Sequence, residues 1–309
     1  MTKVIGSGDR IEGVPTVATI GMFDGVHLGH ATLIAELRRQ ATLRGMGSAV
    51  ITFERHPRHV LSPDCNLGMI MPLDERIGAI SKHNPDYIVT LDFTRELAAL
   101  SSARFMQMLH DRYGVAVLVM GYNHRFGHDT AMTFGQYVEQ GARLGIEVVK
   151  APEYLGEYAP VSSTIVRGLI AAGKVDDAAR CMGHRYRLRG KVVHGYHNGR
   201  GIGFPTANIG EVDPMMILPH NGAYAVLIHI DNQRLKGMVN IGRRPTLDNG
   251  DELSIEVNIF DFDDDIYGKT IELEFVRFLR LEFKMGSVDE LRQQLQRDRD
   301  RSLALMAAL

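Results

Sequence analysis

Residues 16–37 read TVATIGMFDGVHLGHATLIAEL, and this stretch predicts how the first half of the chain folds. The β-branched, apolar run at 16–20 is typical of a buried strand. Leu33 and Leu37 lie one helical turn apart, and Gly45 is a helix stop, so a helix follows the strand. A buried strand that turns through glycines into a helix is the opening unit of a parallel α/β sheet.

The same alternation continues to about residue 150. Apolar strand-like runs lie at 47–54, 86–93, 115–122 and 146–152. Helical patterns separate them at 74–83, 101–114 and 133–145. Strands this apolar predict a parallel sheet covered by helices on both faces. Ligands of such sheets bind beyond the C-terminal ends of the strands, near a reversal of strand order.

After about Gly183 the pattern changes to short strands separated by turn-prone segments. The strand-like runs are at 186–195, 222–230, 235–242, 253–262 and 270–279. They predict an antiparallel barrel or sandwich. A closing amphipathic helix is expected from the cap-like Ser287 onwards. The change of period predicts two domains, 1–183 and 184–309.

The composition is that of an ordinary globular protein, with 309 residues, 45% hydrophobic residues and a net charge of −2. This balance gives no electrostatic footprint for nucleic acid, and no apolar run approaches a membrane span. The two cysteines, Cys65 and Cys181, are too few for a disulfide framework or a thiolate metal site. Free thiols in a reducing cytoplasm are therefore expected. The sequence carries no prediction of oligomeric state.

His27 lies in the turn after the first strand, and His30 lies at the start of the helix. Unpaired N–H groups and the positive end of the helix dipole make this position an anion site. Gly21 and Gly25 let the backbone approach a ligand closely. The two imidazoles could donate hydrogen bonds to a nucleotide phosphate and stabilise charge that develops there. The residues support a zinc site less well, because no third ligand follows at a recognisable metal-site spacing. The remaining alternative is that both are turn histidines without a functional role.

The segment FDGVHLGH, residues 23–30, resembles the H-x-G-H loop of nucleotidyltransferases. More narrowly, it resembles that of bacterial bifunctional riboflavin kinase/FAD synthetases. Three later loops are similar to the same family: ITFERHP at 51–57, GYNHRFG at 121–127 and SSTIVR at 162–167. The resemblance implies a Rossmann-like nucleotidyltransferase domain for the first half.

The resemblance also implies site residues in this domain. ATP would be bound by Gly21, Phe23, Asp24, Gly25, His27, His30, Asn123, Ser163, Thr164 and Arg167. The flavin would be bound by Phe53, His56, Pro57 and Phe126. Two departures from the family pattern stand out. Arg55 replaces a usual proline, and an arginine that commonly follows the third loop is missing over His128–Ala131.

In the second half, GYHNGRGIGFPTANI at 195–209 holds closely spaced glycines, including Gly201 and Gly203. Such a segment leaves backbone N–H groups free for phosphates, although a glycine-rich hairpin before an edge strand is the simpler alternative. Thr206 and Asn208 are two residues apart, so on extended chain they share a face. A hydroxyl beside an amide suits Mg²⁺ and a nucleotide.

The segment GFPTAN resembles the P-T-A-N signature of riboflavin kinases, and SIEVNIFDF at 254–262 resembles the strand that carries their general base. The resemblance implies that Glu256 takes the proton of the ribityl hydroxyl as it attacks the γ-phosphate of ATP. It places Arg280 and Glu282 on the flavin side, and Thr206 and Asn208 at the metal.

The resemblance runs from about Pro15 to about Asp298 and implies a cytoplasmic enzyme with two activities. The C-terminal barrel would convert riboflavin to FMN with Mg-ATP, and the N-terminal domain would join FMN to AMP from a second ATP, giving FAD and pyrophosphate. In that second step the FMN phosphate is already anionic and needs no base. The role implied for His27 and His30 is therefore to orient the ATP. The alternatives are a chain that retains one activity only and a non-catalytic flavin-binding protein.

Overall fold

The computed structural model describes residues 1–122, 125–129, 131–194, 203–245, 251–283, 286–307 and 309. The chain divides into two compact units. The first unit contains residues 1–67 and 71–163, and the second contains residues 68–70 and 164–309. The predicted functional boundary between residues 183 and 184 is distinct from this packing division and stays a prediction.

The first unit is built on a six-stranded sheet in which every pairing is parallel, as predicted. Its strands are β1 (Lys3–Ile5), β2 (Thr16–Ile20), β3 (Gly47–Phe53), β4 (Tyr87–Leu91), β5 (Val115–Met120) and β6 (Glu147–Lys150). The spatial order is β1-β4-β3-β2-β5-β6. The order therefore reverses between β2 and β5, and the loops that follow these two strands are where a ligand is expected.

Helices flank this sheet on both faces. They are α1 (Leu28–Arg44), α2 (Pro57–Leu61), α3 (Leu73–Ser81), α4 (Arg95–Ala98), α5 (Ser102–Tyr113) and α6 (Phe134–Arg143). One apolar cluster contains Leu109 and Tyr137 from α5 and α6. A second contains Leu37 and Ile80 from α1 and α3. The α/β class with two covered faces is thus confirmed.

Apart from residues 68–70, the second unit starts at Thr164, the second residue of α7 (Ser163–Ala171). The next helix is α8 (Val175–Met182). Its strands are β7 (Arg187–Val193), β8 (Ala207–Gly210), β9 (Gly222–Ile230), β10 (Gln233–Pro245), β11 (Asp251–Ile259) and β12 (Thr270–Arg280). They form a closed antiparallel barrel in the order β10-β11-β8-β7-β12-β9. Of the two predicted architectures, the barrel is confirmed.

The final helix, α9 (Val288–Leu305), starts where the sequence predicts it. The Ser287 hydroxyl caps it by accepting a hydrogen bond from the Glu290 N–H at 3.2 Å. Its apolar side chains, with Leu295 among them, pack over Met238 and Phe204 outside the barrel. Between α9 and the barrel lies one of the cavities described below, which is lined by residues of both the strands and the helix.

Candidate active sites

The loop after β2 has an unusual backbone. Phe23 and Val26 have positive φ angles of 52° and 35°, and Gly25 has a φ of 78°. Bulky and β-branched residues rarely adopt this region, which costs of the order of 1–3 kcal/mol and is found mostly at functional sites. Asp24 anchors the loop, because its buried carboxylate accepts a hydrogen bond from the Met71 N–H at 3.0 Å.

The two predicted histidines lie together at the N-terminus of α1. His27 is the N-cap residue, and its Nδ1 accepts a hydrogen bond from the His30 N–H at 3.3 Å. The two rings stack with centroids 3.7 Å apart. Gly29 permits this stacking, because a Cβ there would lie 3.1 Å from the His27 ring. Both imidazoles therefore sit where the dipole of a 17-residue helix favours an anion.

One residue that the sequence analysis did not identify supports this loop. Arg76 on α3 is only 1% exposed, and its Nη2 donates to the carbonyl oxygen of Phe53 at 2.6 Å. Burial lowers the pKa of Arg76 to about 10, and the charge of Asp24 opposes that shift. Arg76 thus bonds the end of β3 through Phe53, and its charge interacts favourably with that of Asp24 in the loop after β2.

The predicted phosphate clamp is divided between the two compact units. In the first unit, the Ser163 hydroxyl donates to the carbonyl oxygen of Asp24 at 2.9 Å. In the second unit, Thr164 is exposed and Arg167 donates from Nε to the carbonyl oxygen of Gly68 at 2.9 Å. The structure thus joins Ser163 to the histidine loop, while the phosphate contacts of Thr164 and Arg167 stay predictions.

The predicted flavin residues after β3 are ordered by local contacts. His56 caps α2 through a hydrogen bond from the Arg58 N–H to its Nδ1 at 3.1 Å, and Pro57 is the first helical residue. The departure at Arg55 has a local partner, because its guanidinium donates twice to Asp92 Oδ1, at 3.0 and 2.7 Å. The Arg55 side chain thus forms an exposed ion pair that joins the segment after β3 to the segment after β4.

The loop after β5 contains Phe126, which packs in the core against Phe105 and Tyr137. The Tyr137 hydroxyl also bonds both the N–H and the carbonyl oxygen of Phe126. Asp129, in the stretch that departs from the family pattern, accepts from the Ser102 N–H and hydroxyl, each at 2.8 Å. Asn123, predicted here as an ATP ligand, lies outside the described residues.

The barrel has a cavity of about 400 Å³ beside the start of β8 and the end of β11. Thr206, Val257 and Ile259 line it, together with the acidic and aromatic segment Asp263–Tyr267. The Tyr267 ring stacks on His194 with centroids 4.1 Å apart. Of the predicted glycines, Gly203 is exposed with a φ of 82°, and Gly201 lies outside the described part of the chain.

A second cavity, of about 420 Å³, lies on the other face of β11 under α9. Glu256 and Asn258 line it from the strand. Apolar side chains line the rest, chiefly Phe204, Ala223, Met238, Val239, Phe283, Val288, Leu291 and Leu295. A cavity with an apolar part and a few polar groups is typical of a small-molecule site.

Thr206 lines both cavities, so the two meet at this residue. Its hydroxyl lies 3.5 Å from Glu256 Oε2, and the Ser254 hydroxyl donates to Glu256 Oε1 at 3.1 Å. Glu256 is the direct cross-strand partner of Asn208. Three predicted kinase residues, Thr206, Asn208 and Glu256, are thereby brought together at the junction.

The two predicted flavin-side residues of the barrel also line the second cavity, and each is held by a partner that the sequence analysis missed. Arg280 donates from Nε to Asp298 of α9 at 2.8 Å. Glu282 accepts from the Asn240 amide at 2.6 Å. Asp298 lies on α9 and Asn240 on β10, so only the fold shows that they contact Arg280 and Glu282.

Comparison with known proteins matches both halves of the chain. A family model described as FAD synthetase matches residues 11–165, and one described as riboflavin kinase matches residues 182–306. A Bacillus subtilis bifunctional riboflavin kinase/FMN adenylyltransferase is 32% identical over 96% of this chain and 95% of its own length. Proteins of the same name from Haemophilus influenzae and Pseudomonas fluorescens are each 34% identical, over 91% and 94% of this chain and 91% and 93% of their own lengths.

Among solved structures, a Streptococcus pneumoniae protein described as a macrolide-efflux protein superposes with a TM-score of 0.86. It is 30% identical to this chain and covers 97% of it, with 98% of its own length aligned. Within the described residues, none of the helices has the length and apolar character that crossing a bilayer requires.

Proposed function

This chain belongs to the bifunctional riboflavin kinase/FMN adenylyltransferase family, and we propose how its residues divide the two reactions. As a member with both regions, it is an enzyme that phosphorylates riboflavin and then adenylylates FMN, with ATP as the co-substrate in each step. The proposal assigns the kinase step to the barrel and the adenylyl transfer to the histidine loop of the parallel sheet. Its boundary is the predicted one, between residues 183 and 184.

The observation that supports the kinase assignment is the pair of cavities that meet at Thr206. ATP would occupy the cavity beside Asp263–Tyr267, and riboflavin the cavity under α9. The Glu256 carboxylate, at the junction, takes the proton of the terminal ribityl hydroxyl as that oxygen attacks the γ-phosphorus. The bond from the γ-phosphorus to the bridging oxygen breaks, and ADP leaves.

Mg²⁺ fits the residues beside Glu256. Thr206 supplies a hydroxyl oxygen, Asn208 an amide oxygen, and Glu256 lies opposite Asn208 on the neighbouring strand. Oxygen donors of this kind suit a hard cation that takes only a few protein ligands besides the phosphates. When bound, Mg²⁺ neutralises charge on the transferring phosphates. Thr206 and Asn208 would hold it.

For the second step, the histidine loop supplies positioning and charge stabilisation. The phosphate of FMN attacks the α-phosphorus of ATP, the bond to the β-phosphate breaks, and pyrophosphate leaves. His27 and His30, stacked at the positive end of α1, donate hydrogen bonds to oxygens on the α-phosphate, where negative charge builds up. The phosphate of FMN is already anionic, so no residue has to remove a proton.

Two variants test this division within one chain. Glu256→Gln keeps the size of the side chain and removes its basicity, so FMN formation from riboflavin should fall strongly. FAD formation from supplied FMN should stay within about twofold of the wild type. The double variant His27→Ala/His30→Ala should show the reverse. Each is incubated with Mg-ATP and riboflavin or FMN, and the flavins are resolved by chromatography.

The outcomes separate the alternatives. Loss of both steps in either folded variant would contradict the division between the units. A wild-type protein that forms FMN but no FAD would be a kinase alone, and one that binds flavin without product would be a binding protein. We also assign the enzyme to the cytoplasm, on the ground that Cys65 and Cys181 are both free thiols.

A further inference from the structure

Asn258 lies on β11 two residues after Glu256 and lines the same cavity under α9. The residue is 5% exposed, and its Nδ2 donates to the carbonyl oxygen of Pro205 at 2.7 Å. Because a carbonyl oxygen can only accept, this bond fixes which end of the amide is the nitrogen. The other end, Oδ1, is a buried acceptor that has no hydrogen-bond partner in the described part of the chain.

A buried acceptor without a donor is costly, by about 1–3 kcal/mol, and is uncommon in native proteins. The neighbouring polar side chains of the cavity differ from it in this respect. Arg280 bonds Asp298, and Glu282 accepts from Asn240. An unsatisfied Oδ1 held rigidly in a cavity wall indicates that a ligand brings the missing donor.

We propose that Asn258 accepts a hydrogen bond from a secondary hydroxyl of the ribityl chain of riboflavin, and so selects a polyhydroxylated substrate. The inference rests on the proposed kinase reaction. Side chains two residues apart on a strand share a face and lie about 7 Å apart. With the terminal hydroxyl at Glu256, a hydroxyl two or three carbons along the chain comes within reach of Asn258.

The surroundings of Asn258 favour the ribityl chain over the ring system of the flavin. Its partner Pro205 is adjacent to Thr206, where the two cavities meet, so Asn258 lies towards the phosphoryl-transfer end. The isoalloxazine suits the apolar wall formed by Leu291 and Leu295 of α9. A donor on the ring would have to lie away from that wall to reach Oδ1.

The test compares two ligands on the full chain. Lumiflavin has the isoalloxazine ring of riboflavin but no ribityl chain. Asn258→Leu removes the acceptor at similar size, so the Kd for riboflavin should rise about tenfold, the effect of one hydrogen bond. The Kd for lumiflavin should stay within about twofold. Both are measured by quenching of flavin fluorescence, and the KM for riboflavin should rise more than kcat falls.

Equal weakening of both flavins, or no weakening of either, would overturn the inference. The melting temperature of the variant reports whether its barrel is folded, and Asn258→Ala, which adds no bulk, replaces the leucine variant if that control fails. Failure of the kinase assignment is seen separately, since the wild-type protein would then bind riboflavin without forming FMN.

Discussion

At the scale of single residues, Arg76 makes the sharpest prediction for the first unit. Its guanidinium is buried, donates to the Phe53 carbonyl and interacts electrostatically with Asp24, so we expect it to stabilise both of the loops proposed to hold the substrates. Arg76→Met removes this link, and adenylyl transfer should fall by about 100-fold, since a misplacement of about 1 Å can cost that much. The measurement is the rate of FAD formation from FMN and ATP.

Arg76→Lys is the matched control for this prediction. A lysine keeps the positive charge towards Asp24 and can still donate to the Phe53 carbonyl, so the loss of adenylyl transfer should be smaller. Riboflavin phosphorylation should be unchanged in both variants. A methionine variant with normal FAD synthesis would show that Arg76 serves neither loop.

The sequence could not predict Arg76 or Asn258 as functional, and the reason is physical. Charged residues on a helix are expected to face solvent, so nothing in PLDERIG marks an arginine that is buried. Asn258 alternates with the apolar residues of its strand, a pattern typical of a solvent-exposed side chain, whereas the structure places it in one cavity with Glu256. Only the hydrogen bond from its Nδ2 to the Pro205 carbonyl shows that the buried acceptor left without a donor among the described residues is Oδ1.

At the scale of elements, a buried carboxylate ties three strands of the barrel. Glu274 of β12 accepts from Arg187 of β7 at 2.9 Å, from Arg185 just before β7 at 3.0 Å, and lies 3.1 Å from His229 of β9. Burial raises the pKa of Glu274, but the hydrogen bond from Arg185, the charge of Arg187 and the contact with His229 together lower it below its usual range. The ionised carboxylate therefore stabilises the folded barrel.

Glu274→Gln should lower the free energy of unfolding near neutral pH by roughly 1.5–3 kcal/mol, the usual worth of hydrogen bonds to a charged group. The pKa of Glu274 is lower in the folded state than in the unfolded state. Its contribution is therefore complete above the unfolded value of about 4.3 and is lost as the pH falls through the folded value. Calorimetric melting should show a difference between wild type and variant that shrinks below about pH 4.

The matched control is Glu211→Gln. Glu211 also pairs with a cation of β7, Lys191, at 3.3 Å, but its side chain is 65% exposed. An exposed pair of this kind contributes at most about 1 kcal/mol, so the melting temperature should hardly change. A constant difference between wild type and Glu274→Gln from pH 7 to pH 3 would contradict the linkage.

Most elements of both units could be predicted, because their periodicity is strong. The strands β2 to β6 and the closing helix α9 fall where the sequence places them. The edge strand β1 was missed, since it has only three residues, of which Lys3 and Val4 are exposed, and so short a run carries no recognisable alternation. The helix α8 was also missed, although its buried residues Val175, Ala178 and Met182 repeat at helical spacing. The spacing was present, and the segment was too short to stand out.

At the scale of the whole molecule, the packing and the sequence pattern place the division of the chain differently. The change of sequence period predicts a boundary at 183/184, whereas α8 packs against β12 of the barrel and belongs to the second compact unit. Asp176 of α8 pairs with Arg277 of β12 at 2.9 Å. The helix α8 therefore stabilises the barrel, and none of its residues, all of them within the described ranges, lines either of the two cavities described above.

Two fragments test this distinction. Both 164–309 and 184–309 contain Thr206, Asn208 and Glu256, so each should phosphorylate riboflavin. The shorter fragment leaves the face of β12 that α8 covers open to solvent and loses several buried apolar side chains, each worth about 1.5–3 kcal/mol. It should melt well below the longer one. Equal melting temperatures would show that α7 and α8 add nothing to the barrel, and a stable 164–309 without kinase activity would show that this step needs the first unit as well.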